Sequence, residues 1–163
     1  MNQMGERFKT VKGSVLVGIF ANKLDTYKVN NDLVLHSVEP LLYIRKKNSS
    51  DIKYWKIGWM EDSAGDDVLL LKEQNIPEAI RYELIDAPYQ KHIIMGSSFS
   101  VQPNLILNVS GYGFKENNNE ILTSIVLELE DVFISINTGA VIEIKITEEE
   151  PNDLGSKIFT TYQ

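Results

Sequence analysis

Isoleucine recurs at every second position in Ile142, Ile144 and Ile146, with Glu143, Lys145 and Thr147 between. A side-chain period of two belongs to extended chain, in which successive side chains point to opposite faces. One face of this segment is an apolar ridge and the other a polar row, as in a strand half-buried in a sheet. The longer stretch Ile121–Thr147, ILTSIVLELEDVFISINTGAVIEIKIT, reads as three strands, and the rest of the chain is organised around it.

Upstream, the same periodicity recurs between turn signals. A first strand is expected from Val11 to Phe20, with Gly13 and Gly18 marking a bulge or a close backbone approach. Asn22–Asp32 is polar and reads as a loop. Strands follow over Leu33–Val38 and Leu41–Lys46, with Pro40 between them suited to a bulge or an edge. The turn-favouring Asn48-Ser49-Ser50-Asp51 leads to a strand over Ile52–Met60, where Trp55, Ile57 and Trp59 share one face and Tyr54 takes the other. A turn around Ala64-Gly65 delivers Asp67–Leu71, which completes a meander.

One short helix is expected near 76–86. Asn75 and Glu78 have capping-box spacing, Pro77 suits a first turn, and Ile76, Ile80 and Leu84 recur at intervals of four. Lys91–Met95 and Leu105–Phe114 read as strands, and the Asn-rich Lys115–Glu120 as the loop into the opening stretch. Glu148-Glu149-Glu150-Pro151 stops the sheet by charge and by proline's missing amide. Residues 1–10 and 148–163 read as flexible termini, with Ile158, Phe159 and Tyr162 available to dock. The expected fold is thus mainly β, all-β or β-rich α+β: a single-domain antiparallel barrel or two-sheet sandwich of about nine strands.

Composition limits the chemistry. The chain of 163 residues is 43% hydrophobic, enough for one core, and its lack of cysteine excludes disulfides, thiolate nucleophiles and Cys-based metal sites. It also suits a cytoplasmic setting. The apolar run Val15–Phe20 is too short to span a bilayer, so no membrane segment is expected. Asn48-Ser49-Ser50 and Asn108-Val109-Ser110 match a glycosylation acceptor pattern that nothing else supports.

The net charge of −7 is unevenly held. Residues 116–153 carry ten acidic side chains against the single Lys145, whereas residues 1–115 hold 14 basic and 13 acidic ones. An acidic surface repels nucleic-acid phosphates and anionic lipid and attracts a basic partner.

Catalytic and metal patterns are sparse. His36 and His92 occur in no H-x-x-x-H or H-E-x-x-H spacing, and their simpler reading is structural or surface. No G-x-S-x-G elbow accompanies Ser97, Ser98 or Ser100, and Gly13-Ser14 lacks the rest of a phosphate loop. Glu61, Asp62, Asp66 and Asp67 offer oxygens for a hard cation but match no twelve-residue calcium loop, so a solvated hairpin tip is the simpler account. No catalytic residue, metal or cofactor is assigned.

The expected function is a non-enzymatic binding module that presents an acidic sheet face to a basic protein. Glu128, Glu130, Asp131 and Glu143 lie at its centre, with Tyr54 and Tyr112 as exposed aromatic anchors. The simpler account of these acids is that they solubilise a sheet face and blunt an edge. Small size, acidity and β-structure are shared with several kinds of interaction module, inhibitor and immunity proteins among them, an analogy carried by no motif. Two alternatives stand beside it. One is a small-molecule or hydrolytic barrel using His36 or His92, a carboxylate and Tyr112; the other is a structural subunit whose strand edges pair between chains.

Overall fold

A computed structural model describes residues 3–20, 25–30, 32–37, 39–74, 98–139 and 141–162. The protein is mostly β. Helix α1 (Gln3–Lys9) precedes β1 (Val15–Phe20), β2 (Asp25–Val29), β3 (Asp32–Ser37), β4 (Leu41–Arg45), β5 (Ile52–Glu61) and β6 (Asp67–Gln74). After these come β7 (Ser98–Leu105), β8 (Asn108–Glu116), β9 (Asn119–Glu128), β10 (Phe133–Asn137), β11 (Ile142–Thr147) and β12 (Ser156–Thr160). They form two antiparallel sheets, ordered β6-β5-β4-β1-β7 and β12-β8-β9-β10-β11-β3-β2. β6 lies over β9 and β5 over β11, so the sheets stack as a sandwich, and among the described residues no barrel closes.

The opening segment behaves as its pattern requires. β9, β10 and β11 are consecutive neighbours, with Ile134 opposite Ile146 and Ile136 opposite Ile144. Ile142 and Ile144 are fully buried and meet Leu35 of the same sheet and Trp55 and Ile57 of the other in one contiguous core.

Hairpin turns use residues that tolerate positive φ. Asn117 (φ 49°) and Asn118 (φ 66°) sit between the paired Glu116 and Asn119, the two-residue type I′ arrangement whose twist matches that of its strands. This makes the expected loop over Lys115–Glu120 a tight turn with strand on both sides. Gly18 lies at a register shift against both β4 and β7, as its place inside a strand implied.

Several expectations change. β2 occupies the segment read as a loop: an edge strand pairs along one side only, so its DTYKV sequence needs no buried apolar face. The single strand expected over Leu105–Phe114 is divided, because the chain changes sheets at Ile106 and Leu107. Gly13 N donates to Ile106 O at 2.8 Å in one sheet's margin, and Leu107 N donates to Glu128 O at 2.8 Å in the other's. The apolar alternation read through Leu105, Leu107 and Val109 does not survive this corner: Ile106 and Val109 are buried, while Leu107 is exposed. Pro40 stands neither at a bulge nor on an edge strand but just before the central β4, and its carbonyl accepts from Ile57 N. The helix expected near 76–86 and the strand over Lys91–Met95 lie outside the described residues.

Described segments near both termini pack onto the sheets. Phe8 of α1 is 1% exposed and packs 5.9 Å from the Trp55 ring, so the segment read as a flexible leader contributes to the core. At the other end, β12 pairs with β8 and buries Phe159. A Cβ on Gly111 of β8 would approach that phenyl ring to 2.2 Å, so the absent side chain is what lets Phe159 seat.

Candidate functional site

Strand register builds a polar row across the outward face of the seven-stranded sheet. Lys157, Tyr112, Ser124, Asn137, Glu143 and His36 stand opposite one another in turn, on six adjacent strands. Ser124 Oγ donates to Asn137 Oδ1 at 2.6 Å, and Asn137 Nδ2 donates to Glu143 Oε1 at 3.5 Å. His36 Nε2 lies 2.9 Å from Tyr27 Oη and 3.3 Å from Glu143 Oε2. That one ring nitrogen either accepts the tyrosine proton or donates to the carboxylate. Lys145 Nζ is 3.6 Å from Glu143 Oε1, so Glu143 is surrounded by donors on its own sheet.

A second grouping forms at the end of the same sheet. Asn108, Glu128, Phe133 and Thr147 face one another across β8 to β11. Glu130 and Asp131 occupy the turn that follows Glu128, and Glu148, Glu149 and Glu150 follow Thr147. Pairing of β10 with β11 therefore brings two acidic segments to one margin. Apart from the half-buried Glu128, these carboxylates are exposed. Among the described residues none of the six forms an ion pair.

Tyr162 reports how close the segments are. Its hydroxyl donates to Glu128 Oε2, which also accepts from Asn108 Nδ2 at 2.9 Å. Burial pushes the phenol's pKa up, and the hydrogen bond to Glu128 and the charges of Glu128 and Glu150 push it further. Glu128 and Glu150, one from each acidic segment, thus act on the same hydroxyl. Beside them a hollow of about 350 Å³ is lined by Asp32, Thr147 and the three consecutive glutamates.

Of the residues singled out in the sequence, Glu128, Glu130 and Asp131 come together. Glu143 belongs instead to the polar row, where its charge is offset. Tyr112 is half-buried in that row with Lys157 Nζ 5.8 Å from its ring centre. Tyr54 lies on the other sheet, edge-on to Tyr43 at 5.2 Å, and burial reinforced by Tyr43 raises its pKa. Sequence reasoning passed over Asp32, Tyr162 and the glutamate run as members of the group. In the sequence the run counts toward the acidic balance of residues 116–153 and stops a strand, but nothing local ties it to Glu128.

The other candidates sort as follows. His92 and Ser97 lie outside the described residues, as do the side chains of Ser98 and Ser100. His36 faces outward, the described strands close no barrel, and among the described residues no ionisable side chain is buried between the sheets. Asp62 Oδ1 accepts from Ala64 N at 2.9 Å and Asp66 N at 2.8 Å, which closes the β5–β6 turn. Glu61 and Asp67 face each other across that hairpin. Glu116 is the residue whose carboxylate comes within 4.8 Å of those of Asp62 and Asp66.

Among the described residues no helix is long and apolar enough to cross a membrane. No family model, curated protein or solved structure matches this chain.

Proposed function

We propose that this is a non-enzymatic binding module that docks a basic protein segment on the acidic end of its seven-stranded sheet. The observation that carries the reading is the arrival of Glu128, Glu130 and Asp131 and of Glu148, Glu149 and Glu150 at one margin, where Glu128 and Glu150 both act on Tyr162. Tyr162 is 44% exposed and offers a rigid aromatic anchor among charges. The neighbouring hollow, walled by Asp32 and the glutamates, suits the ammonium or guanidinium head of a lysine or arginine side chain.

Exposed charges each contribute little affinity, about 0–1 kcal/mol, but together they steer encounter and select the sign of the partner. The inhibitor-like analogy is one form that such a module takes. A cytoplasmic setting is part of the same proposal and is supported by the absence of cysteine.

The experiment is a titration with a lysine- and arginine-rich peptide and an acidic control peptide at about 50 and about 300 mM salt. Selective binding of the basic peptide, weakened by salt and by at least about tenfold in Glu130→Lys/Glu149→Lys, supports the reading. Equal binding of both peptides, or no effect of the double reversal, rejects it.

A further inference from the structure

The turn after α1 and the β4–β5 turn enclose a hollow of about 580 Å³, within the range of small-molecule sites. Lys12, Lys46, Lys47 and Lys53 all line it, against the single acid Asp51. A surplus of three positive charges thus gathers in one concavity of a protein whose net charge is −7. Two of the four have local partners: Lys12 Nζ donates to Thr161 O at 2.9 Å, and Lys53 pairs with Glu73 at 2.6 Å. The ammonium groups of Lys46 and Lys47 have no hydrogen-bond or ion-pair partner among the described residues, although the Lys46 backbone bonds within its own turn. Like charges held together repel, and a bound anion relieves that repulsion.

We propose that this hollow binds a small, multiply charged anion of the phosphoryl class, held chiefly by Lys46 and Lys47 with Lys12 and Lys53 at its rim. The donor set selects the class. The amides of Thr10, Val11, Lys12, Gly13 and Ser14 all donate to carbonyls within the protein, so no backbone cradle of the phosphate-loop kind is available. Recognition falls to ammonium groups, which act as point charges on flexible stems. Such groups suit a compact, multivalent anion better than the planar fit that a carboxylate makes with arginine. Trp55 also lines the hollow; it is 1% exposed, and its indole Nε1–H has no acceptor among the described residues. The site is separate in composition from the acidic margin, and neither proposal depends on the other.

Isothermal titration of the full chain with pyrophosphate, and separately with inorganic phosphate, tests it. The expected result is saturable binding, tighter for pyrophosphate and weakened by salt, that falls by at least about tenfold in Lys46→Ala/Lys47→Ala. Lys115→Ala, which removes an exposed lysine from β8, serves as the control and leaves affinity within about twofold. No saturable heat, an unchanged double variant, or an equal loss in the control would overturn the proposal. Amide shifts of the unsubstituted protein on adding pyrophosphate give a second reading independent of the variants' folding. Changes centred on residues 10–14 and 46–53 support the site, and changes centred elsewhere reject it.

Discussion

Phe159 rests directly on the Cα of Gly111, with its ring where any β-carbon at that position would stand. The same ring meets Gly5 of α1, where an added Cβ would come to 3.0 Å, so one phenyl group joins the last strand, its neighbour β8 and the first helix. Gly111→Ala therefore forces Phe159 or Leu122 to move and is expected to cost about 1–3 kcal/mol. Phe159→Ala, which empties the seat, is expected to cost about 3–5 kcal/mol. Urea unfolding of both variants checks the order; a neutral Gly111→Ala would show that β12 is not packed as described.

Tyr162 gives the protein an alkaline dependence. Its folded pKa lies above the ordinary tyrosine value of about 10, so the folded state holds a proton that the unfolded chain releases. The stabilisation is fully present below about pH 10 and is lost as pH climbs from there toward the folded pKa. Unfolding measured between about pH 9 and about pH 11 should show stability falling, with a shallower slope in Tyr162→Phe. Equal slopes would remove Tyr162 as a source.

Glu143 and Glu149 separate an acidic face from an acidic end. His36, Asn137 and Lys145 already engage Glu143, whereas Glu149 forms no ion pair among the described residues. Glu149→Lys should weaken basic-peptide binding several times more than Glu143→Lys does, read by titration at low salt. A double-mutant cycle on His36 and Glu143 should give a coupling of no more than about 1 kcal/mol, as for other part-exposed pairs.

Asn118 tests the β8–β9 turn. Its φ of 66° lies where a β-branched residue is strained, so Asn118→Val should cost about 1–2 kcal/mol and Asn118→Gly should be close to neutral. Thermal unfolding of the pair supplies the comparison.

Most of the sandwich was legible wherever one face of a strand is buried. Ile142, Ile144 and Ile146 announce β11, and Trp55, Ile57 and Trp59 announce the inner face of β5, because burial imposes the period of two. The pattern fails where burial is partial. β2, an edge strand, exposes both Tyr27 and Val29 and has no inner ridge to reveal it. α1 is only seven residues long and places Phe8 in the core, with Val11 in the turn beyond it, too short a run for a helical period. The acidic margin was half legible: the charge balance marks the segment, but register decides that the residues after Glu128 and after Thr147 share one margin, while Glu143, in the same segment, is engaged by His36, Asn137 and Lys145. Lys12, Lys46, Lys47 and Lys53 gave no local signal, because two turns distant in sequence must fold together to make one basic hollow.

The seat of Phe159 also bears on the order of events in folding. Its contact with Gly5 joins residues separated by almost the entire chain, and closing so long a loop carries an entropic cost that few local contacts repay early. Hairpins such as β8–β9 and β5–β6 can zip within themselves, while the latch between α1 and β12 must wait for β8 to exist. A side chain that docks after the rate-limiting step influences how fast the native state is lost far more than how fast it is reached. Phe159→Ala is therefore expected to raise the unfolding rate, shortening the lifetime of the folded protein, while the refolding rate changes little, as stopped-flow measurement of both rates would check.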